Sequence, residues 1–496
     1  MKPLLKYFLL LIFLSSSYQS WAQSVQISAD NIDNNGFDYA KVIGQDEEGV
    51  YVLMSNLSLE TSRDRFGLKS RKYELSYFGY NLQPKWRKTI DAIPSGGSLE
   101  SIGFFNEKPV IVSSLQSRSS GEIQLFMSVL NSKGETEVNG LKIYSSTIPK
   151  SSDLSKPRLV ISPNRRFLGV AMEESGNGNI QIHYACVNDS FLVSYQFKSE
   201  INYSAKNAEL SEFAISNSED LLFLAFTKDI SESKKNRLRQ YKIFHVNKLE
   251  NKMKEYDFNR VDQYMNEAAL VIDKINNQAI ITGFYSDQTS FAGASLLYAT
   301  LGLNGGNELK INSGKLNNEA QLKFIGQRNT GTGASLISYP IRNVIPRNDG
   351  GAIIIAEAAY LSEYNFYDYF TQTFNRRIEF HFDNILTLSV NADGSIHWSQ
   401  LIRKEQTSMD DEGLYSSFNT ILTPEELTIV YNNDIGRSNE ITGNSIDPKG
   451  EMKSKKISKK SDSISILPRA GKQVDENTFI VPAVTKKRLF LMKFEV

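Results

Sequence analysis

Eight times along this chain a polar turn interrupts an apolar strand and a second apolar strand follows. The clearest outer copy is Asn384–Ile402, NILTLSVNADGSIHWSQLI, in which an alternating strand enters an Asn-Ala-Asp-Gly turn and leaves through a strand carrying Trp398. Just upstream, Pro346–Glu357, PRNDGGAIIIAE, is a turn followed by a short apolar strand. The two hairpins together read as one four-stranded antiparallel sheet. Recurrence every 50–75 residues or so is the mark of a radial repeat, in which a sheet covers both faces only when its neighbours stack on it.

The inner hairpins are Val42–Ser55, Ile102–Ser114, Leu159–Met172, Phe213–Phe226, Leu270–Phe284, Val344–Glu357, Thr420–Asn432 and Ile466–Val484. Each is a β-branched and aromatic run broken by Asn, Asp, Gly or Pro. Outer hairpins follow at Tyr73–Ile90, Ile123–Val138, Ile180–Phe197, Leu238–Phe258, Ser295–Ile311, Asn384–Ile402 and Ile441–Ile457. The eighth copy ends at Arg488–Val496, one strand short, while Ser24–Ser28 offers a spare strand. Pairing these two segments closes the ring and removes its open edges. The fold class is therefore all-β, a single β-propeller over residues 23–496, with eight four-stranded blades and seven as the alternative. No segment holds apolar spacing at i, i+3, i+4 and i+7 over three turns. Short helical turns are expected only in the connections Glu319–Phe324 and Arg403–Asp411.

Residues 1–22 have the three parts of a secretory leader: Lys2 and Lys6, an apolar run Tyr7–Leu14, and a polar stretch ending in Ser20 and Ala22, with cleavage expected after Ala22. The apolar run is shorter than the roughly 20 residues that span a bilayer, so no transmembrane segment is expected. Export to the periplasm is favoured, with an extracellular or outer-membrane-associated position as the alternative. Lys+Arg and Asp+Glu number 56 each, so no overall field attracts nucleic acid. The single cysteine, Cys186, excludes an intrachain disulfide and reads as a small buried strand residue.

The units LSVNADGSIHWSQLI and LSYFGYNLQPKWRKTI resemble the Gly-turn-then-Trp repeats of quinoprotein-type propellers and of bacterial outer-membrane-assembly scaffold propellers. ISPNRRFLGVAM is similar to repeats of Tol-associated periplasmic and WD-type propellers. The run from Trp398 through Lys404, Gln406 and Ser417 to Tyr431–Asp434 is similar to exported propellers of Bacteroidetes. These resemblances imply architecture and carry no activity with them.

One stretch stands out chemically. Between two strands of the sixth unit, Ala359–Phe382 packs Tyr360, Tyr364, Phe366, Tyr367, Tyr369, Phe370, Phe374 and Phe380 beside Arg376 and Arg377. Large rigid rings gain contact area at low entropic cost and Arg adds directed donors, which is the composition of binding hot spots. Tyr364, Phe366, Tyr367, Tyr369, Phe370, Arg376 and Arg377 are the candidate partner-binding residues. The plainer reading is a pair of long strands whose rings pack on a neighbouring blade.

Other features point away from chemistry. His183, His245, His381 and His397 have no companions at metal-ligand spacing and read as strand residues. Asn31–Gly36 opens like a calcium loop, but Val42 stands where a bidentate Glu belongs, so it reads as a turn. Gly326–Leu336 is glycine-rich without the Gly-Lys-Ser/Thr of a phosphate loop. No Gly-x-Ser-x-Gly elbow appears, Asp393 and Trp398 do not form a sialidase Asp box, and Asp410/Asp411 and Glu425/Glu426 read as turn acids. The lysines of Lys449–Lys460 read as blunting an outer strand edge. No catalytic residue, metal or cofactor is assigned. The leading expectation is an exported, non-catalytic propeller binding a protein or glycan partner in the bacterial envelope, as a monomer or within a complex. The alternatives are a glycan hydrolase or lyase with its site in the axial channel, and a structural component of an outer-membrane or secretion assembly.

Overall fold

The structure is a computed structural model that describes residues 24–495 apart from 29–31, 33–36, 38, 56–72, 92–93, 118–119, 150–151, 177, 205, 207, 228–240, 259–263, 287–293, 304–307, 316–338, 369, 371, 436–438, 459–463 and 486–487. The leader, the turn at Asn31–Gly36, the connection Glu319–Phe324, the glycine-rich Gly326–Leu336 and Tyr369 lie wholly or largely outside the described residues.

The described strands form eight antiparallel sheets of four strands with short additions in blades three, six and eight, in chain order except in blade eight, which includes the first strand of the chain. The chain is a β-propeller of eight blades. Blade one runs Tyr39–Asp46, Gly49–Ser55, Tyr73–Gly79 and Pro84–Ile90, and blade six runs Ile341–Pro346, Ala352–Asp368, Thr373–Val390 and Ile396–Ile402. All eight inner hairpins expected from the turn signals are present at their expected places.

The core is not central. It is divided into eight seams, one between each pair of consecutive blades. Tyr51, Leu75 and Tyr77 of blade one meet Ile111 and Leu130 of blade two, and Ile355 and Ile385 of blade six meet Ile429 and Tyr431 of blade seven. This explains why the second strands read as unbroken apolar runs: Gly49–Ser55 and Leu427–Asn432 are buried throughout because a blade lies on each face.

Closure follows the same rule. Ser24–Ile27 pairs antiparallel with the last strand, Ser24 opposite Glu495 and Ile27 opposite Met492. Leu489 and Leu491 of blade eight pack with Val42, Val50 and Val52 of blade one, completing the ring of seams.

Antiparallel order sends the turns within each inner and each outer hairpin to one rim and all other connections to the opposite rim. The first rim is built of tight turns closed by Asn and Asp side chains. Asn131 Oδ1 accepts from the backbone N–H groups of Lys133 and Glu135, and Asp447 Oδ1 from those of Lys449 and Glu451. The Trp86 indole N–H donates to the Ser132 carbonyl at 2.7 Å, and that of Trp398 to the Pro448 carbonyl at 3.0 Å. Each indole leaves its own blade and covers the turn of the next. Gly134 and Gly450 sit beneath the rings with φ of 78° and 86°, where an added Cβ would lie 3.1 Å and 2.7 Å from the nearest ring atom. The two tryptophans occupy equivalent places in their blades, and both are half-buried at the rim rather than enclosed in a seam. Trp398→Ala and Trp86→Ala should each cost about 2 kcal/mol in urea unfolding, below the roughly 3–5 kcal/mol of a fully buried ring. A cost under about 0.5 kcal/mol for either would reject the equivalence.

Arg403–Asp411 departs from the expected helical turn. Gln406–Met409 is a strand that pairs with Glu379–Phe382, because an unpaired edge of Thr373–Val390 is available there and outweighs the local helix preference of Lys, Glu and Gln. The outer strand of blade seven, Met452–Lys456, carries its lysines largely exposed on the ring's periphery, as an edge-blunting role requires. Cys186 is buried, and burial pushes its thiol up to about 12. No helix among the described residues is long and apolar enough to cross a membrane.

Candidate functional site

The long-connection rim carries one dominant feature. In blade six the second and third strands do not stop at the rim. Beyond Glu357 they continue for ten further register pairs, from Ala359 opposite Phe382 to Asp368 opposite Thr373. At about 3.3 Å per residue this ribbon is roughly 30 Å long, three-stranded at its base, where Gln406–Met409 pairs with Glu379–Phe382, and two-stranded beyond. The aromatic stretch is thus a continuous extension of blade strands rather than a separate insertion.

Residues opposite one another across an antiparallel pair share a face. One face carries Tyr360, Tyr364 and Phe366 against His381, Arg377 and Asn375, and the other carries Leu361 and Tyr367 against Phe380 and Phe374. Tyr360 stacks on His381 with centroids 4.4 Å apart, Arg377 lies over Phe366 at 4.5 Å, and Tyr367 meets Phe374 edge-on at 5.1 Å. Arg376 pairs with Glu363 at 2.5 Å. The rings do not pack on a neighbouring blade: Leu361 is 65 % exposed, Phe374 78 % and Phe370 100 %, with Tyr364 and Tyr367 also exposed. Of the expected site residues, Phe366 and Arg377 are partly covered by each other and Arg376 is exposed on the opposite face. Aromatic surface of this extent on a ribbon that is two-stranded beyond its base has little reason to stand in water alone.

The ribbon is anchored by a buried polar hub that the residue pattern did not announce. The Glu357 and Lys404 side chains are fully buried and 2.8 Å apart. Lys404 Nζ also donates to the Phe382 carbonyl at 2.7 Å and to Gln406 Oε1 at 2.8 Å. Ser417 Oγ donates to Glu357 Oε2 at 2.6 Å, and Arg342 Nε reaches the same oxygen at 3.3 Å. From Gln406 the bonding continues to the Asn432 carbonyl, and Asn432 Nδ2 donates to the Tyr415 and Ile466 carbonyls. The hub therefore ties the ribbon's base to blades seven and eight. Burial pulls the Lys404 ammonium below its usual range, and the Glu357 carboxylate acts against that shift. Beyond the resemblance of the run that contains them, the sequence carried no signal for Lys404, Gln406 and Ser417.

Next to the base, Glu405, Thr407, Asn433, Asp434 and Ile435 line an open hollow of about 520 Å³. Thr407 Oγ1 lies 3.1 Å from His381 Nδ1, so hollow and ribbon are continuous.

The four histidines are all strand residues, and no group of three or more potential metal ligands occurs among the described residues. His183 and His245 are buried at separate seams. Along the inner strands, Glu212 is solvent-accessible yet crowded. Its carboxyl is raised by burial first and by the neighbouring Glu267 carboxylate second, with Arg158 opposing. The first strands of blades four and five thus bring Glu212 and Glu267 near one another.

No protein-family model matches the chain, and no curated protein matches it. Among solved structures it is similar to polysaccharide lyase Uly1, at 10 % identity over 92 % of this chain and 99 % of that one, with a TM-score of 0.39. It is similar to the β-propeller domain of the Trilobed protease from Pyrococcus furiosus, described as an open velcro topology, at 10 % identity over 90 % and 98 %, with a TM-score of 0.33. The Nup133 β-propeller domain of Vanderwaltozyma polyspora is similar at 9 % identity over 80 % and 100 %, with a TM-score of 0.38. At these values the fold assignment rests on this chain's own strands and seams.

Proposed function

We propose that the chain is an exported, non-catalytic propeller that holds a protein or glycan partner of the bacterial cell envelope on the aromatic ribbon of blade six. The single observation behind this reading is the ten-pair extension with Tyr364, Tyr367, Phe370 and Phe374 exposed on it. The buried hub supports it, because a rigid base limits the ordering cost that binding would otherwise carry. Export follows from the leader in residues 1–22, with residues 23–496 as the mature propeller and the periplasm as its site of action. The Gly-turn-then-Trp repeats, which resemble those of envelope scaffold propellers, agree with that location. A structural role in an outer-membrane or secretion assembly uses the same surface in a permanent contact.

Replacing Tyr367 and Phe370 with Ser should change stability by less than about 0.5 kcal/mol, the range of exposed substitutions. A photo-crosslinker at position 374, introduced in cells of the source organism, should capture a defined envelope protein or glycan, and the double substitution should abolish that capture. A melting temperature lowered by the equivalent of several kcal/mol would show that the rings are core and would end the proposal. The alternative, a glycan hydrolase or lyase, rests on Glu212 beside Glu267. Glycan cleavage lost in Glu212→Gln and kept in the ribbon variant would favour it.

A further inference from the structure

A second feature lies on the same rim but across the ring. Between blades two and three, the connections leading into each of them enclose a cavity of about 490 Å³. This is within the roughly 300–1,000 Å³ of small-molecule sites. Blades three, four and five separate it from blade six on one side of the ring and blades two, one, eight and seven on the other, so it belongs to a different sector from the ribbon.

Its polar wall is built by a backbone irregularity. In the inner strand Ser98–Phe105, Leu99 stands opposite Ser113 and Ser101 opposite Val112, which leaves Glu100 as the extra residue of a β-bulge. A bulge re-aims the side chain it carries, and Glu100 lines the cavity. Glu100 Oε1 accepts from Ser114 Oγ, which fixes the carboxylate at the wall that it forms with Ser114. On the opposite wall the Ser155 hydroxyl accepts the Glu173 N–H at 2.8 Å, while the Ser155 N–H donates to the Glu173 carbonyl at 2.8 Å. The hydroxyl is thereby held in place. Gln116 adds an amide at the mouth, and the buried side chains of Leu125 and Met172 form an apolar floor.

The chemistry of this lining is selective. One carboxylate and no Lys, Arg or His stand among the described lining residues, so a phosphate or carboxylate ligand meets the Glu100 charge with no cation among those residues to offset it. A neutral ring bearing several hydroxyls meets what it needs. Adjacent hydroxyls donate to the ionised Glu100, which makes charge-assisted bonds. Others exchange hydrogen bonds with Ser155 and Gln116, and the C–H face of the ring rests on Leu125 and Met172. We propose that this cavity is a binding site for a neutral polyhydroxylated ring, the chemical class of an unmodified monosaccharide or the terminal unit of a neutral glycan.

The test is titration calorimetry on the purified full chain with glucose, galactose and N-acetylglucosamine, alongside glucose 6-phosphate and glucuronate. At least one neutral sugar should bind, and the two anionic ones at least ten-fold more weakly. Glu100→Gln and Ser114→Ala should each weaken the neutral sugar about ten-fold or more, and Ser152→Trp, which fills the cavity from its wall, should abolish binding. Melting curves of all three establish that they fold. The variant with Tyr367 and Phe370 replaced by Ser should bind the sugar unchanged, so failure of this site and failure of the ribbon proposal are read separately. The proposal is overturned if none of the three neutral sugars binds, if the anionic sugars bind equally well, or if binding survives Glu100→Gln and Ser152→Trp.

Discussion

Deleting Leu489–Val496 is expected to abolish the folded monomer. Leu489, Phe490, Leu491, Met492 and Phe494 are at most 6 % exposed. Leu489 and Leu491 enter the seam with blade one, and Phe490, Met492 and Phe494 the seam with blade seven. Burying one such side chain contributes about 1.5–3 kcal/mol. Five of them together match the roughly 5–15 kcal/mol by which a whole domain is stable. The deletion also strips Ser24–Ile27 of its pairing and bares the edge of Thr478–Thr485, a template for intermolecular pairing. Circular dichroism melts and size-exclusion chromatography decide the matter: a truncated chain that stays monomeric with the parent's Tm would contradict ring closure. Removing Ser24–Ser28 instead should be milder, since Val25 and Ile27 are 41 % and 45 % exposed.

The second large effect is expected at the hub. Lys404→Met leaves the Glu357 carboxylate fully buried with Ser417 and Arg342 as its remaining partners, and should cost about 3–5 kcal/mol. Adding Glu357→Leu to Lys404→Met should recover much of that loss, because two apolar side chains of similar volume remove both the charge and its need for a partner. Urea unfolding of the two single variants and the double variant gives the coupling, expected to exceed about 1 kcal/mol. Lys404→Met alone costing less than about 1 kcal/mol would mean that water reaches the pair.

Most of the ring was legible because its determinants are local. An Asn or Asp closing a turn between two apolar runs marks an inner hairpin without reference to anything distant, and the eight such places map onto the eight blades. The spare strand Ser24–Ser28 was found by counting, since a ring of four-stranded blades has no place for an odd strand elsewhere. The candidate residues of Ala359–Phe382 were legible as chemistry but not as geometry. Alternating Tyr and polar residues serve equally for a strand covered by a blade and for one in water, and only the ten register pairs beyond Glu357 separate these cases. Glu357 itself, inside the run IIIAEA, reads as one more strand residue. Its partners lie 47 and 60 residues downstream at Lys404 and Ser417, a spacing with no periodic signature. Glu100 was hidden for a different reason, because a bulge is a slip between two strands and leaves no mark within either one.

The pairing of Ser24–Ile27 with the last strand also orders events in time. Leu491 N–H donates to Ser28 Oγ across 463 residues of chain. At about 5–20 residues per second, the first-made strand waits roughly 25–90 s for its partner to be synthesised. Joining such distant ends in a free coil would cost about 5 kcal/mol in loop entropy from the logarithmic dependence on length. Stacking of successive seams removes that cost in steps, since each new blade bends the growing arc toward its own start. The last seam therefore acts as a clasp, and a chain stalled before it carries two unsatisfied blade faces at once, the state in which it is most exposed to proteases and to its own copies.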